Sequence, residues 1–160
     1  MKRFLRSIYT LPMFINSGRP LFAMSKVSAL EGISLRLARA FAGLVHYAHG
    51  VRPQESASEL ADEWNRLMPT PQDAFPVINT EGDTAYMEIR IECPLRGSGN
   101  AEACWRSMEF DRALVRASGG ELVVMESQSV TGGECCKLAI RPKGASFDDL
   151  PVAHPRWREG

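Results

Sequence analysis

The chain has 160 residues, with 19 Lys plus Arg against 19 Asp plus Glu, 44% apolar and 24% charged residues, and 4 Cys. That length suits one domain with a single core, and the apolar fraction is too high for a disordered chain. A net charge of zero argues against a general nucleic-acid binder, which needs a basic surface to neutralise phosphates. No stretch approaches the roughly 20 apolar residues that span a bilayer.

The chain starts Met1-Lys2-Arg3-Phe4-Leu5-Arg6, but the apolar run after it is broken by Pro12, Asn16, Gly18 and Pro20. A signal core is a continuous apolar segment. Residues 1–24 therefore read as a flexible leader, with Met24 as an alternative start. Residues 25–142 read as one α+β domain, and 143–160, with Pro151 and Pro155, as a loose tail. Four cysteines without a clean secretion signal favour reduced thiols in a cytoplasmic protein. Cys93, Cys104 and the adjacent pair Cys135-Cys136 do not have zinc-ribbon spacing.

The first element is a helix over about Ser25 to His49. Leu30, Ile33, Leu37, Phe41, Leu44 and Ala48 recur at spacings of three and four, which makes them its apolar stripe. Ala38, Ala40, Ala42 and Gly43 would let another helix approach closely. A second helix is expected from about Ser56 to Met68, where Ser56 and Glu59 have capping-box spacing. Phe75 to Asn79 reads as a strand, and Thr80-Glu81-Gly82-Asp83 as a turn. In the next strand Ala85, Met87, Ile89, Ile91 and Cys93 alternate with Tyr86, Glu88, Arg90 and Glu92, so the first set faces the core. A third helix is expected over Ala101 to Ser118, stopped by Gly119-Gly120. Leu122 to Gln128 and Cys136 to Arg141 complete a second hairpin with Thr131-Gly132-Gly133 at its tip. The order predicts an α+β fold: two N-terminal helices, then an antiparallel sheet of two β-hairpins with an intervening helix.

Two carboxylates break these patterns. Treated as one helix, the third places Ala101, Cys104, Met108, Asp111 and Val115 in one arc, with Glu102, Arg106 and Glu109 opposite. Asp111 then faces a core, where a carboxylate must be paired, ligate a metal or have a raised pKa. A structural partner such as Arg90 would also account for it. Glu126 shares strand parity with Leu122 and Val124, so the hairpin brings it toward Cys136. Glu126, Cys136 and a helix Cys could make a mixed oxygen and sulfur zinc site. A solvent-facing Glu126 beside a Cys136 that acts as a small apolar residue is the other reading. Cys93 could act as a nucleophile only with a base, and the chain offers His46, His49 and His154.

From Phe75 to Arg141 these residues carry two resemblances. Cys104-Trp105, Asp111, Gly119-Gly120, Val123-Val124-Met125-Glu126, Gly132 and Cys136 resemble the vinyl-reductase-type, or hydrocarbon-binding, domain, with Ser129 where that pattern has its second Cys. The resemblance implies dimerisation through the N-terminal helices and zinc ligands at Cys104, Glu126 and Cys136. Cys93, Asp111 and Cys136 are similar to the pattern of the aminothiazoline-carboxylate hydrolase family. From these readings the expected function is binding of a small, largely apolar ligand in a pocket lined by Cys104, Met108, Asp111 and Glu126. The alternative is a hydrolase acting on a C–N bond of a small cyclic or amide substrate, with Asp111 as acid/base and Cys93 or Cys136 as nucleophile or metal ligand. A third option is a protein-interaction module. The expected partners are a small ligand and a second copy of the chain, without nucleic acid.

Overall fold

The computed structural model of the protein describes residues 20–68 and 72–158. Residues 1–19 of the expected leader lie outside these; residues 20–25 are helical. The fold is α+β. Helices α1 (Glu31–His49) and α2 (Ala57–Leu67) precede strands β1 (Val77–Glu81) and β2 (Thr84–Ile89). Then come α3 (Ala101–Ser107), α4 (Glu109–Ala117), β3 (Gly120–Glu126), the single turn α5 (Gln128–Thr131) and β4 (Cys136–Pro142). The strands form one antiparallel sheet in the order β1-β2-β4-β3.

Strand alternation builds the core face in rows. Ala85 pairs with Ile140 and Ile140 with Leu122; Met87 pairs with Leu138 and Leu138 with Val124; Ile89 pairs with Cys136. All of these are buried. The α2 helix packs across β2 and β4, and α4 across β3. The α2 helix begins where its capping box requires: the Ser56 side chain accepts the Glu59 N–H, and the Glu59 carboxylate accepts the Ser56 N–H. Gly120 lets this helix lie close to the sheet, because a Cβ there would stand 2.7 Å from Leu60 Cδ1.

Four features depart from the sequence expectations. First, α1 buries Ser34, Ala38, Ala42 and Val45, whereas Ile33, Leu37 and Leu44 of the expected core stripe are exposed. The small residues admit α4 at close range, and the bulky ones are turned outward. Second, the long third helix is interrupted at Met108 (φ −75°, ψ 2°). The interruption rephases its second half, so Glu109 is buried instead of facing water, and Arg106 before it is buried as well. Third, β2 ends at Ile89, where its partner β4 begins, so Cys93 sits in the loop beyond the strand. Fourth, the segment after β4 is packed against the domain. Phe147, Leu150 and Trp157 are buried, and the Ala153 N–H bonds Val124 O on β3.

Candidate functional site

The single turn α5 gathers three of the four cysteines. The Cys104 thiol lies 3.0 Å from Ser127 Oγ, which lies 2.8 Å from Ser129 Oγ. Cys136 Sγ accepts the Gln128 N–H at 3.4 Å. Gln128 is fully buried. Its Oε1 accepts the Cys93 N–H at 3.0 Å and its Nε2 donates to Ile91 O at 2.9 Å. The side chain of Gln128 thereby replaces the strand partner that β2 lacks beyond Ile89. Burial raises the thiols of Cys93 and Cys104, and pushes Cys136 up to about 11, so all three are protonated at neutral pH.

Glu126 does not join them. The register slips by one residue at Met125: Val124 pairs with Leu138, but Glu126 pairs with Lys137 instead of Cys136. A one-residue slip sends a side chain to the other face of the sheet. There Glu126 is exposed and bonds Lys137 Nζ at 2.9 Å. The expected zinc donor set of Cys104, Glu126 and Cys136 is therefore not assembled. Among the described residues no group of three or more His, Cys, Asp or Glu side chains is arranged to hold a metal ion.

Asp111 does face the interior, yet away from the thiols. It is half-buried on α4, and its Oδ1 accepts the Trp64 Nε1–H at 3.3 Å. Burial pushes its carboxyl up to about 7. Arg90, an alternative partner, pairs with Glu88 instead. Met108, at the helix interruption, packs beside Leu95, Ala103 and Cys104.

A cleft lies elsewhere. It has a volume of about 370 Å³ and runs between α4, the middle of β3 and the C-terminal segment, and none of the expected pocket residues lines it. Five arginines and three carboxylates do: Arg39, Arg112, Arg116, Arg156 and Arg158 against Glu109, Glu121 and Asp148. Glu109 is 1% exposed and receives Arg39 Nε at 2.5 Å, Arg112 Nε at 2.8 Å and Arg116 Nη2 at 2.5 Å. Burial alone would raise the Glu109 carboxyl, but these guanidinium groups outweigh it and hold it below the ordinary carboxylate range. Arg112 and Arg156 cover the Trp105 ring at 4.0 and 3.7 Å from its centre. Arg156 is anchored in turn by Glu31 and Glu102.

Sequence reasoning missed this cleft. Glu109, Arg112 and Arg116 are spaced i, i+3, i+7 and share a helix face, a signal hidden by treating residues 101–118 as one helix. Trp157 carried no signal, because nothing local marks a tryptophan between prolines and arginines as a wall of the domain. Comparison of the chain with protein-family models, curated proteins and solved structures finds no match.

Proposed function

We propose that the protein binds a small molecule in the cleft between α4, β3 and the C-terminal segment. The observation that carries this reading is the cleft itself. Its volume falls in the range of small-molecule sites, about 300–1,000 Å³, and charged and aromatic side chains converge on it. The ligand it suits is polar, in contrast to the apolar ligand expected from the sequence. Nuclear magnetic resonance of the full chain against a fragment library tests the site. Binders should move the indole signals of Trp105 and Trp157 saturably. Binders that instead perturb only Cys104 and Met108 would return the site to the thiol pocket.

A second copy of the chain is the proposed macromolecular partner. Ile33, Leu37, Ala40, Leu44 and Tyr47 recur at spacings of four and three along one exposed face of α1. That is the seam of a helix pair. Leu37→Glu with Leu44→Glu should convert a dimer to a monomer in sedimentation analysis; a wild-type chain that sediments as a monomer at high concentration rejects the seam. Among the described residues no helix is long and apolar enough to cross a membrane. A reducing compartment suits a chain whose four cysteines are all free.

For hydrolysis of a C–N bond the support is Asp111 alone, whose carboxyl titrates near neutrality. Cys93 is held by backbone groups of its own loop and by Gln128.

A further inference from the structure

Among the described residues the Trp157 indole N–H is buried without an acceptor and Arg112 Nη2 is buried without an aligned one, and both residues line the cleft. The Arg112 side chain is nine-tenths buried; its Nη2 lies 2.6 Å from Glu109 Oε2 but is not aligned to hydrogen-bond it. Trp157 is 4% exposed, and its indole N–H likewise has no acceptor. The two groups are neighbours, with Arg112 Cζ 5.0 Å from the centre of the Trp157 ring. Buried donors are ordinarily paired, because an unpaired one loses its hydration without return. Two of them side by side on one cleft single the place out.

The charge of the wall says what would pair them. Glu109 is one carboxylate shared by three guanidinium groups, an excess of two positive charges around it, while Glu121 and Asp148 also line the cleft. Arg39 and Arg116 remain 56% and 41% exposed in their side chains, with donors beyond those given to Glu109. A ligand for this wall offers acceptors only and carries negative charge, and planar guanidinium donors suit the paired oxygens of an oxyanion. Stacking of a ligand ring on Trp105 is excluded, since Arg112 and Arg156 already occupy that ring.

Resting on the cleft as the ligand site, the geometry points to an oxyanion as the recognised group. A carboxylate or phosphate of the ligand accepts hydrogen bonds from Arg112 Nη2 and Trp157 Nε1, while Arg39 and Arg116 supply charge at the mouth. Both donor nitrogens are covered, so the oxyanion reaches them as the turn Pro155–Arg158 shifts outward.

The test titrates the full chain with inorganic phosphate and, separately, with malonate, each against sodium chloride at matched ionic strength. The Trp157 indole N–H signal should move downfield and saturate. The Trp64 indole signal should stay, because that N–H bonds Asp111 Oδ1, away from the turn. A response to phosphate alone or to malonate alone supports the site and identifies the group it selects. Trp157→Phe keeps an aromatic ring but removes the donor, and should weaken the anion about tenfold when binding is read by isothermal titration calorimetry. Arg116→Gln should weaken it by a similar factor without touching the indole. The proposal is overturned if neither anion moves Trp157 beyond chloride, or if Trp157→Phe binds as the wild type does. Neutral fragments that move Trp157 when neither anion does would leave the cleft standing and remove the oxyanion. Silence from fragments and anions alike would remove both.

Discussion

The polar groups around α5 and the Glu109–Arg112 pair of the arginine cleft are buried to a similar degree and handled in opposite ways. Around α5 they are neutral. Each hydroxyl, thiol and amide has a neighbour to bond, and Gln128 closes the set by serving Cys93 and Ile91 together. In the cleft they are charged, and the pairing leaves donors over. A satisfied neutral network fixes one local structure and asks for nothing further. A charged network around one carboxylate depends on that carboxylate.

The largest expected effect tests that dependence. Glu109→Ala strands Arg112, a buried guanidinium whose only ion-pair partner among the described residues is removed. The expected loss is about 3–5 kcal/mol of unfolding free energy, read by urea denaturation. A loss comparable to that of a surface pair would break the contrast. Next is Gln128→Leu, similar in size but unable to bond. It leaves the Cys93 N–H and Ile91 C=O unpaired, and each such group costs about 1–3 kcal/mol. The expected loss is about 2–3 kcal/mol, with slower proteolysis of the 90–100 loop as the result that would contradict it.

Asp111 stands between the two regions, turned inward like one and ionisable like the other. Its folded-state value of about 7 lies above the ordinary 3.8, so the folded protein holds a proton that the unfolded chain releases between those values. Its contribution to stability is fully present below about pH 4, declines as the pH rises toward 7, and is flat above. Asp111→Asn, which still accepts the Trp64 N–H, should match the wild type at pH 4 and exceed it by about 1–2 kcal/mol at pH 8, below the full linkage value of about 4 kcal/mol because water screens the half-exposed carboxylate. A difference that does not vary with pH would show that Asp111 titrates normally. Turnover of an amide substrate that vanished in the same variant would instead favour the hydrolase reading.

The fold and the two clusters were legible in the sequence only as far as their signals are local. Period-two alternation found Ala85, Met87 and Ile89 on the core face, and the Ser56 capping box placed α2 correctly, because both depend on near neighbours in the chain. The stripe on α1 was found but assigned to the wrong environment. Periodicity gives a face, and only the partner helix decides whether Ala38 and Ala42 or Leu37 and Leu44 turn inward. The thiol cluster was half legible: Cys104 and Cys136 were brought together, but Gln128, which organises the turn, has no local pattern to mark it. The cleft was illegible, since it needs the interruption at Met108 and the return of the C-terminal segment, and both are tertiary outcomes.

The smallest expected effect is at Glu126, and it tests the register slip most sharply. If the hairpin ran without the slip at Met125, Glu126 would oppose Cys136 beside Ser127, in water-poor surroundings. Its loss would then disturb the whole turn. With the slip, it opposes Lys137 on the other face, half exposed and paired to an exposed ammonium. Pairs of that kind contribute little to stability. Glu126→Ala should therefore leave the urea midpoint unchanged, both with and without added zinc, whereas Cys136→Ala should lower it. Equal losses in the two variants, or a zinc-dependent midpoint abolished by Glu126→Ala, would place the carboxylate back among the thiols and erase the distinction between the neutral cluster and the charged cleft.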